Sequence, residues 1–285
     1  MEINNNKIDE LLPRVKETEL EILSVVDAFC RKNNIKYSIA YGTMIGAIRH
    51  KGFIPWDDDI DIFMLREDYD RFESIWHKKP PKGYVFENAK LNKDFSQCHT
   101  KIIKDNTTFL QKGEEKAKYH KGIFIDIFVL DRVADTTFMQ KFQRINAMLY
   151  FLYTRGFPYD RGSSIIKFGC KFLLGIVPKT SYQNIANKFE KKLSKYNSHK
   201  NNKLICYCVM ESLNNYYPSD AMETVDTVYF ENREFYCSKL YDVMLKSEYG
   251  DYMQLPPEEE RVWKHHPILI DFEHNYDELR EINNV

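Results

Sequence analysis

"AIRHKGFIPWDDDIDIFML", Ala47 to Leu65, sets four carboxylates, Asp57, Asp58, Asp59 and Asp61, between the basic tripeptide Arg49-His50-Lys51 and a strand-like apolar run. Alternate residues of a strand share a face, so Asp59 and Asp61 are expected to project together while Ile60 and Ile62 enter the core. Two like charges held that close repel unless a cation lies between them or water surrounds both. A solvated acidic turn is the ordinary explanation of a bare D-x-D. Oxygen-only ligands of this kind otherwise suit Mg²⁺ or Mn²⁺. An EF-hand is set aside, because Gly at the sixth position and Glu at the twelfth do not count out from Asp57, Asp58 or Asp59.

A second carboxylate repeats the oddity. "GIFIDIFVL", 122 to 130, is apolar on both faces except at Asp126, as a central strand covered on both sides reads. An isolated buried carboxylate costs several kcal/mol or surrenders its charge, so a metal or general-base role would rationalise Asp126. The competing explanation is a strand whose Asp end is exposed at the sheet edge. Three aspartates from two strands suit the metal ions of a phosphoryl-transfer site. On the phosphate side, Gly42-Thr43 follows a strand and opens a short helix, where backbone N–H groups favour an anion, although a plain N-cap at Thr43 is the more common explanation of such a pair. Arg49, His50, Lys51, Lys101 and Lys104 are candidates to meet a diphosphate. Basic residues beside acids are also commonly just solvated pairs.

The 285 residues allow one large domain or two modest ones, and 43% hydrophobic with 29% charged residues is ordinary for a globular protein. A net charge of -1 supplies no overall field for nucleic acid or an anionic bilayer. The N-terminus lacks the basic-then-apolar order of a signal peptide and no run of about 18 apolar residues marks a membrane span, so a cytoplasmic protein is expected. Six cysteines without a CxxC pair are expected as reduced interior thiols. "CYC" at 206 to 208 would need two further ligands to hold zinc.

Periodicity predicts a helix from near Pro13 to Lys32, a strand at 37–42, and a short helix "TMIGAIRH" capped by Thr43. A strand "IDIFML" and a helix "REDYDRFESIW" follow. Further strands are expected at Tyr84 to Glu87, Cys98 to Lys104 and Thr107 to Leu110. Three helical segments from Thr136 to about Asn197, broken at "RGFPYDRGSS" and at Pro178, form an insert. Strands near Lys203 to Met210 and Val228 to Tyr236, a helix from Lys239 to Tyr249 and a polar tail complete the chain. One catalytic domain results, with a core over about 13–133, an insert over about 136–200, and a segment 201–285 packing back on the core. "AMLYFLY" and "IIKFGCKFLLGIV" are apolar with basic residues beside them. Core helices are the expectation there, with contact to a membrane as the alternative.

The longer run "YGTMIGAIRHKGFIPWDDDIDIFMLREDYDRF" resembles the signature of the LicD family, bacterial phosphocholine transferases with relatives in the fukutin group. "KGIFIDIFVLD" at 121 to 131 and "SEYGDYMQLPPEEERVWKHH" at 247 to 266 are similar to further family motifs. The resemblance implies an α+β, nucleotidyltransferase-like fold, a mixed sheet flanked by helices. In it, Gly42 and Thr43 match the Gly-Ser/Thr turn, Asp59 and Asp61 the D-x-D pair, and Asp126 the third acid. Met44-Ile45 stands where Leu-Leu is common, a conservative core change. The implied activity is Mg²⁺- or Mn²⁺-dependent transfer of a phosphoalcohol from CDP-choline, or another CDP-alcohol, to a hydroxyl of a cell-surface glycan, releasing CMP. Teichoic acid, capsule and lipooligosaccharide are all compatible acceptors. A lipid-linked acceptor would place the enzyme at the inner face of the membrane.

A choline head needs ring faces or carboxylates, for which Trp56, Tyr249, Tyr252 and Trp263 are candidates. Arg261 and the pair His265-His266 are candidates for donor phosphate or acceptor. Other activities stay open: NMP transfer from an NTP, a CDP-ribitol or CDP-glycerol phosphotransferase, or an inert glycan-binding module.

Overall fold

Helix α1, Asn5–Lys32, starts well before the expected Pro13, which lies inside it rather than in its first turn. A proline there removes one backbone hydrogen bond. The helix is held from beyond that point, by Val15, Ile22, Leu23 and Val26 at helical spacing, each fully buried. The computed structural model describes residues 5–158, 164–200 and 202–282.

The chain then enters β1, Ser38–Ile39, shorter than the expected strand because Tyr41 turns to a positive φ of 42° and starts α2, Tyr41–Ile45. A π-helical turn over Gly46–His50 continues α2. The residue capping α2 is Ala40, not Thr43. Thr43 is one turn inside, and its hydroxyl accepts the backbone N–H of Asp61 at 2.8 Å instead.

Strand β2, Asp61–Leu65, leads into α3, Arg66–Lys78. Strands β3, Tyr84–Glu87, β4, Thr100–Lys104, and β5, Thr108–Gln111, fall within a residue or two of expectation, and β6, Phe124–Arg132, is buried along its whole length. The main sheet runs β1-β2-β6-β4-β3, with the short strand β7, Leu204–Cys206, on the far end of β6. The β2–β6 pair is parallel and the other pairs antiparallel, so the sheet is mixed and, flanked by helices, consistent with an α+β fold.

The sheet's two faces have different covers. Tyr69 of α3 meets Thr100 hydroxyl to hydroxyl at 2.6 Å, and Phe29 of α1 packs on Phe72 and Trp76 of α3. Both helices therefore cover the face of Thr100, Ile127 and Ile62, which share one register row. Tyr41 of α2 lies against Phe63 and Phe128 on the opposite face. That second face carries the aspartates.

The insert comprises α4, Thr137–Arg155, α5, Ser164–Gly175, and α6, Tyr182–Leu193. Ala147, Phe151, Ala186 and Leu193 make a second core there. Arg66 joins insert to sheet, bonding both oxygens of Asp131 and Glu190 at 2.9–3.0 Å. "AMLYFLY" is indeed largely interior. "IIKFGCKFLLGIV" is not, since Leu174 is the buried residue of α5. The break "RGFPYDRGSS" falls partly outside the described residues.

In the last segment, the single strand expected over Val228 to Tyr236 is a hairpin of β8, Val225–Phe230, and β9, Arg233–Ser238. Glu231 and Asn232, at φ 49° and 63°, make the left-handed turn between them. Helix α7, Tyr241–Tyr249, follows, and the supposed polar tail holds β10, Pro267–Asp271, paired with β5, and α8, Tyr276–Ile282. All six cysteines are free thiols, four of them buried.

Candidate active site

The site grows out of one row of register partners. Asp61 on β2 lies opposite Asp126 on β6, Asp126 opposite Lys101 on β4, and Lys101 opposite Glu87 on β3. Partners in register point to the same face, so the row crosses the sheet as acid, acid, base, acid. Asp126 is buried, with His99 Nε2 at 3.3 Å and Lys101 Nζ at 3.9 Å. Lys101 also sits 3.0 Å above the Phe124 ring. Burial pushes the Asp126 carboxyl up, but His99 and Lys101 outweigh it and hold it below the usual carboxylate range.

Asp61 has no such cation. Burial, followed by repulsion from Asp59, Asp126 and Asp57, pushes its carboxyl well above the ordinary value. The loop before β2 adds three more acids, and oxygens of Asp57, Asp58 and Asp59 lie within 4.8 Å of one another. Burial and Asp59 push Asp57 up to about 8, and burial also raises Asp59 against the pull of His265. Glu19 of α1, buried nearby with Oε2 unbonded, is pushed well up by burial and then by the same three aspartates.

The acids are built into place. Gly42 lets Asp57 come in, since a Cβ at that position would sit 2.5 Å from Asp57 Oδ2. Asp58 accepts the backbone N–H of His265 at 3.0 Å and of Lys264 at 3.4 Å, which pins the C-terminal segment against the loop. His265 Nδ1 then lies 3.5 Å from Asp58 and 3.9 Å from Asp59.

These residues open on a cleft of about 980 Å³. Gly42, Arg49, Trp56, Tyr249 and Tyr252 line it together with Asp57, Asp59 and Asp61. Among the described residues its walls carry seven carboxylates and two cations, Arg49 and Lys264. The remaining predicted residues lie elsewhere. Thr43 is buried beneath Asp61, and Asp126 and Lys101 stand one and two strands behind it.

The basic tripeptide does not act as a cluster. Arg49 donates to the carbonyls of Tyr252 at 2.6 Å and Gln254 at 3.3 Å, and its Nε donates to His50 at 2.9 Å. Lys51 adopts φ 63° at the end of the π turn and points to solvent, outside the cleft. Lys104 is bonded to Glu21 at 2.6 Å. Arg261 stacks 5.3 Å above Trp56, and His266 is exposed.

Sequence reasoning missed Asp57 as a cleft residue, His99, Glu19 and Lys264. Strand alternation carries a signal for His99, which stands two residues before Lys101 and shares its face. Lys264 has no such signal, because its place depends on a backbone contact about two hundred residues away along the chain.

The residues fit a divalent cation. They offer an oxygen-only donor set in which burial, followed by mutual repulsion, drives Asp57, Asp59 and Asp61 toward protonation.

A family model described as "LicD/FKTN/FKRP, nucleotidyltransferase domain" matches residues 34–159. The chain is 31% identical over 266 residues to the lipopolysaccharide cholinephosphotransferase LicD of Haemophilus influenzae, covering 87% of this chain and 94% of that protein. Shorter similarities link it to uncharacterized proteins of Rickettsia typhi, 47% identical over 60 residues, and Rickettsia prowazekii, 49% identical over 54 residues. Each covers about a fifth of either chain.

Proposed function

The chain belongs to the LicD family, and from that premise we propose that it transfers phosphocholine from CDP-choline to a hydroxyl of a cell-surface glycan, releasing CMP. A lipopolysaccharide acceptor follows the Haemophilus relative. In the reaction the acceptor oxygen bonds to the phosphorus that bears choline, the bond from that phosphorus to CMP breaks, and the hydroxyl proton passes to a carboxylate of the cleft or to water. The observation that supports this best is the cleft itself, where Asp57, Asp59 and Asp61 share one cavity with tyrosines and an excess of negative charge, and strand register sets Asp126 directly behind Asp61.

Asp59 and Asp61, with Asp57 beside them, would hold Mg²⁺ or Mn²⁺. Such an ion, when bound, offsets charge on the donor diphosphate and on departing CMP. The chain's own residues do the rest. Arg49 and Lys264 meet the outer phosphate oxygens as the two cations of the cleft wall. Asp126, kept charged by His99 and Lys101, is a poor proton acceptor and serves to fix the field behind Asp61.

Choline cannot donate hydrogen bonds, so ring faces and carboxylates must recognise it. Tyr249 is 46% exposed and neighbours Glu248 and Asp251 in the cleft wall, which suits it to that task better than Trp56, above which Arg261 already lies.

A thermal-shift panel tests donor choice. In Mg²⁺, CDP-choline at about 100 times its dissociation constant should stabilise the fold by roughly 2.7 kcal/mol. Asp59→Asn should abolish that shift. Stabilisation by CDP-ribitol or CDP-glycerol instead would change the alcohol, and a response only to CTP or ATP would replace the reaction with nucleotidyl transfer.

A further inference from the structure

The insert turns apolar side chains outward. On α4, Phe138, Phe142, Ile145 and Met148 recur at helical spacing, each 50–69% exposed, and the two phenylalanine rings touch at 4.9 Å between centroids. On α5, Ile165, Phe168 and Phe172 are 60–84% exposed. Single exposed apolar residues are unremarkable, whereas rows of them along two neighbouring helices, linked by the Tyr153 hydroxyl bonded to the Leu173 carbonyl, mark a contact surface.

Charge identifies what the surface contacts. Thr137 to Phe189 contains eight Lys and Arg and one acid, Asp160, in a chain whose net charge is -1. Neither α4 nor α5 contains Asp or Glu. Lys141 sits beside Phe142, and Lys167 and Lys171 beside Phe168 and Phe172. A second copy of the chain is a poor occupant, because a two-fold contact would bring this lysine-bearing face, on helices without Asp or Glu, against itself with no acid of either helix to offset the charge. Spanning a bilayer is also excluded for α5, since twelve residues reach only about 18 Å and no helix among the described residues is long and apolar enough to cross a membrane. An apolar stripe bordered by lysines suits one environment, the boundary between acyl chains and anionic headgroups.

We propose that the α4–α5 face docks on the anionic surface of a lipid bilayer. Its phenylalanines and isoleucines enter the acyl boundary, and Lys141, Lys167 and Lys171 meet headgroup phosphates. The docking is independent of the chemistry in the cleft, so it can hold or fail without reference to the transferred group.

The test is co-sedimentation of the full chain with vesicles of phosphatidylcholine alone or mixed with phosphatidylglycerol, at low and high salt, with light scattering of the protein by itself. The wild-type chain is expected to bind the mixed vesicles, to prefer them strongly over neutral ones, and to be released by salt. Phe168→Asp/Phe172→Asp and Lys167→Glu/Lys171→Glu should each lower partition by about tenfold or more with unchanged circular dichroism, because these side chains are at the surface. No binding to mixed vesicles, equal binding to neutral ones, or retention of full binding by both variants would overturn the proposal. So would a stable wild-type dimer that Phe168→Asp/Phe172→Asp dissolves. The salt response of the wild-type chain decides the matter should a variant fail to fold.

Discussion

Asp61 and Asp126 face each other across the parallel pairing of β2 and β6, yet only Asp126 has basic side chains beside it, the His99 ring at 3.3 Å and the Lys101 ammonium at 3.9 Å. Asp61 is left to the cleft, buried among acids. This asymmetry separates a buried carboxylate without a basic partner from one already supplied with two.

Removing the charge of Asp61 should therefore affect activity and stability in opposite directions. Asp61→Asn is expected to lower kcat/KM by about 100-fold or more while raising the melting temperature of metal-free protein, because buried repulsion is relieved. Each kcal/mol gained corresponds to about 2–4 °C for a chain of this size class. Calorimetry beside steady-state kinetics checks both, and a lower melting temperature would assign Asp61 a structural role.

His99 positions Asp126. His99→Leu should lower activity by about 10-fold and raise the Mg²⁺ concentration needed for half activity, because the carboxylate behind Asp61 loses the neighbour that most favours its charged form. His99→Gln, which keeps a donor, should recover much of that loss. Titration of activity against Mg²⁺ distinguishes this from a general loss of folding, which would leave the Mg²⁺ midpoint unmoved.

Gly42→Ala tests the approach of Asp57. The added methyl meets Asp57 Oδ2 at 2.5 Å, so the carboxylate must move while the surrounding sheet is left in place. Activity should fall with little change in the circular dichroism spectrum. Undiminished activity would show that Asp57 is dispensable.

Much of this was legible in the residues. Asp59, Asp61 and Asp126 stand out because strand alternation and burial make a charged residue conspicuous, and β6 reads as central because both its faces are apolar. The hairpin of β8 and β9 was hidden because Glu-Asn is an unusual pair for a left-handed turn. Contacts far apart in the chain, such as Asp58 to His265, leave no local trace. The same holds for α5, whose composition suits a core helix while its surroundings leave it uncovered.

Stability should fall as pH rises in the absence of metal. Carboxyls with folded values above their unfolded ones are protonated in both states at low pH, and their penalty develops between the unfolded value near 4 and the folded value, about 8 for Asp57. Melting temperature in EDTA should drop across that window, and saturating Mg²⁺ should flatten the drop. A metal-free profile that rises from pH 5 to 8 would contradict the assignment.

The most direct measurement follows the products. Purified protein is incubated with Mg²⁺, CDP-choline and lipopolysaccharide lacking phosphocholine, and the mixture is read by ³¹P NMR and mass spectrometry. Equimolar CMP and phosphocholine-bearing glycan, absent with Asp59→Asn, is the predicted result. Turnover of CTP to pyrophosphate with no phosphocholine transferred would contradict it.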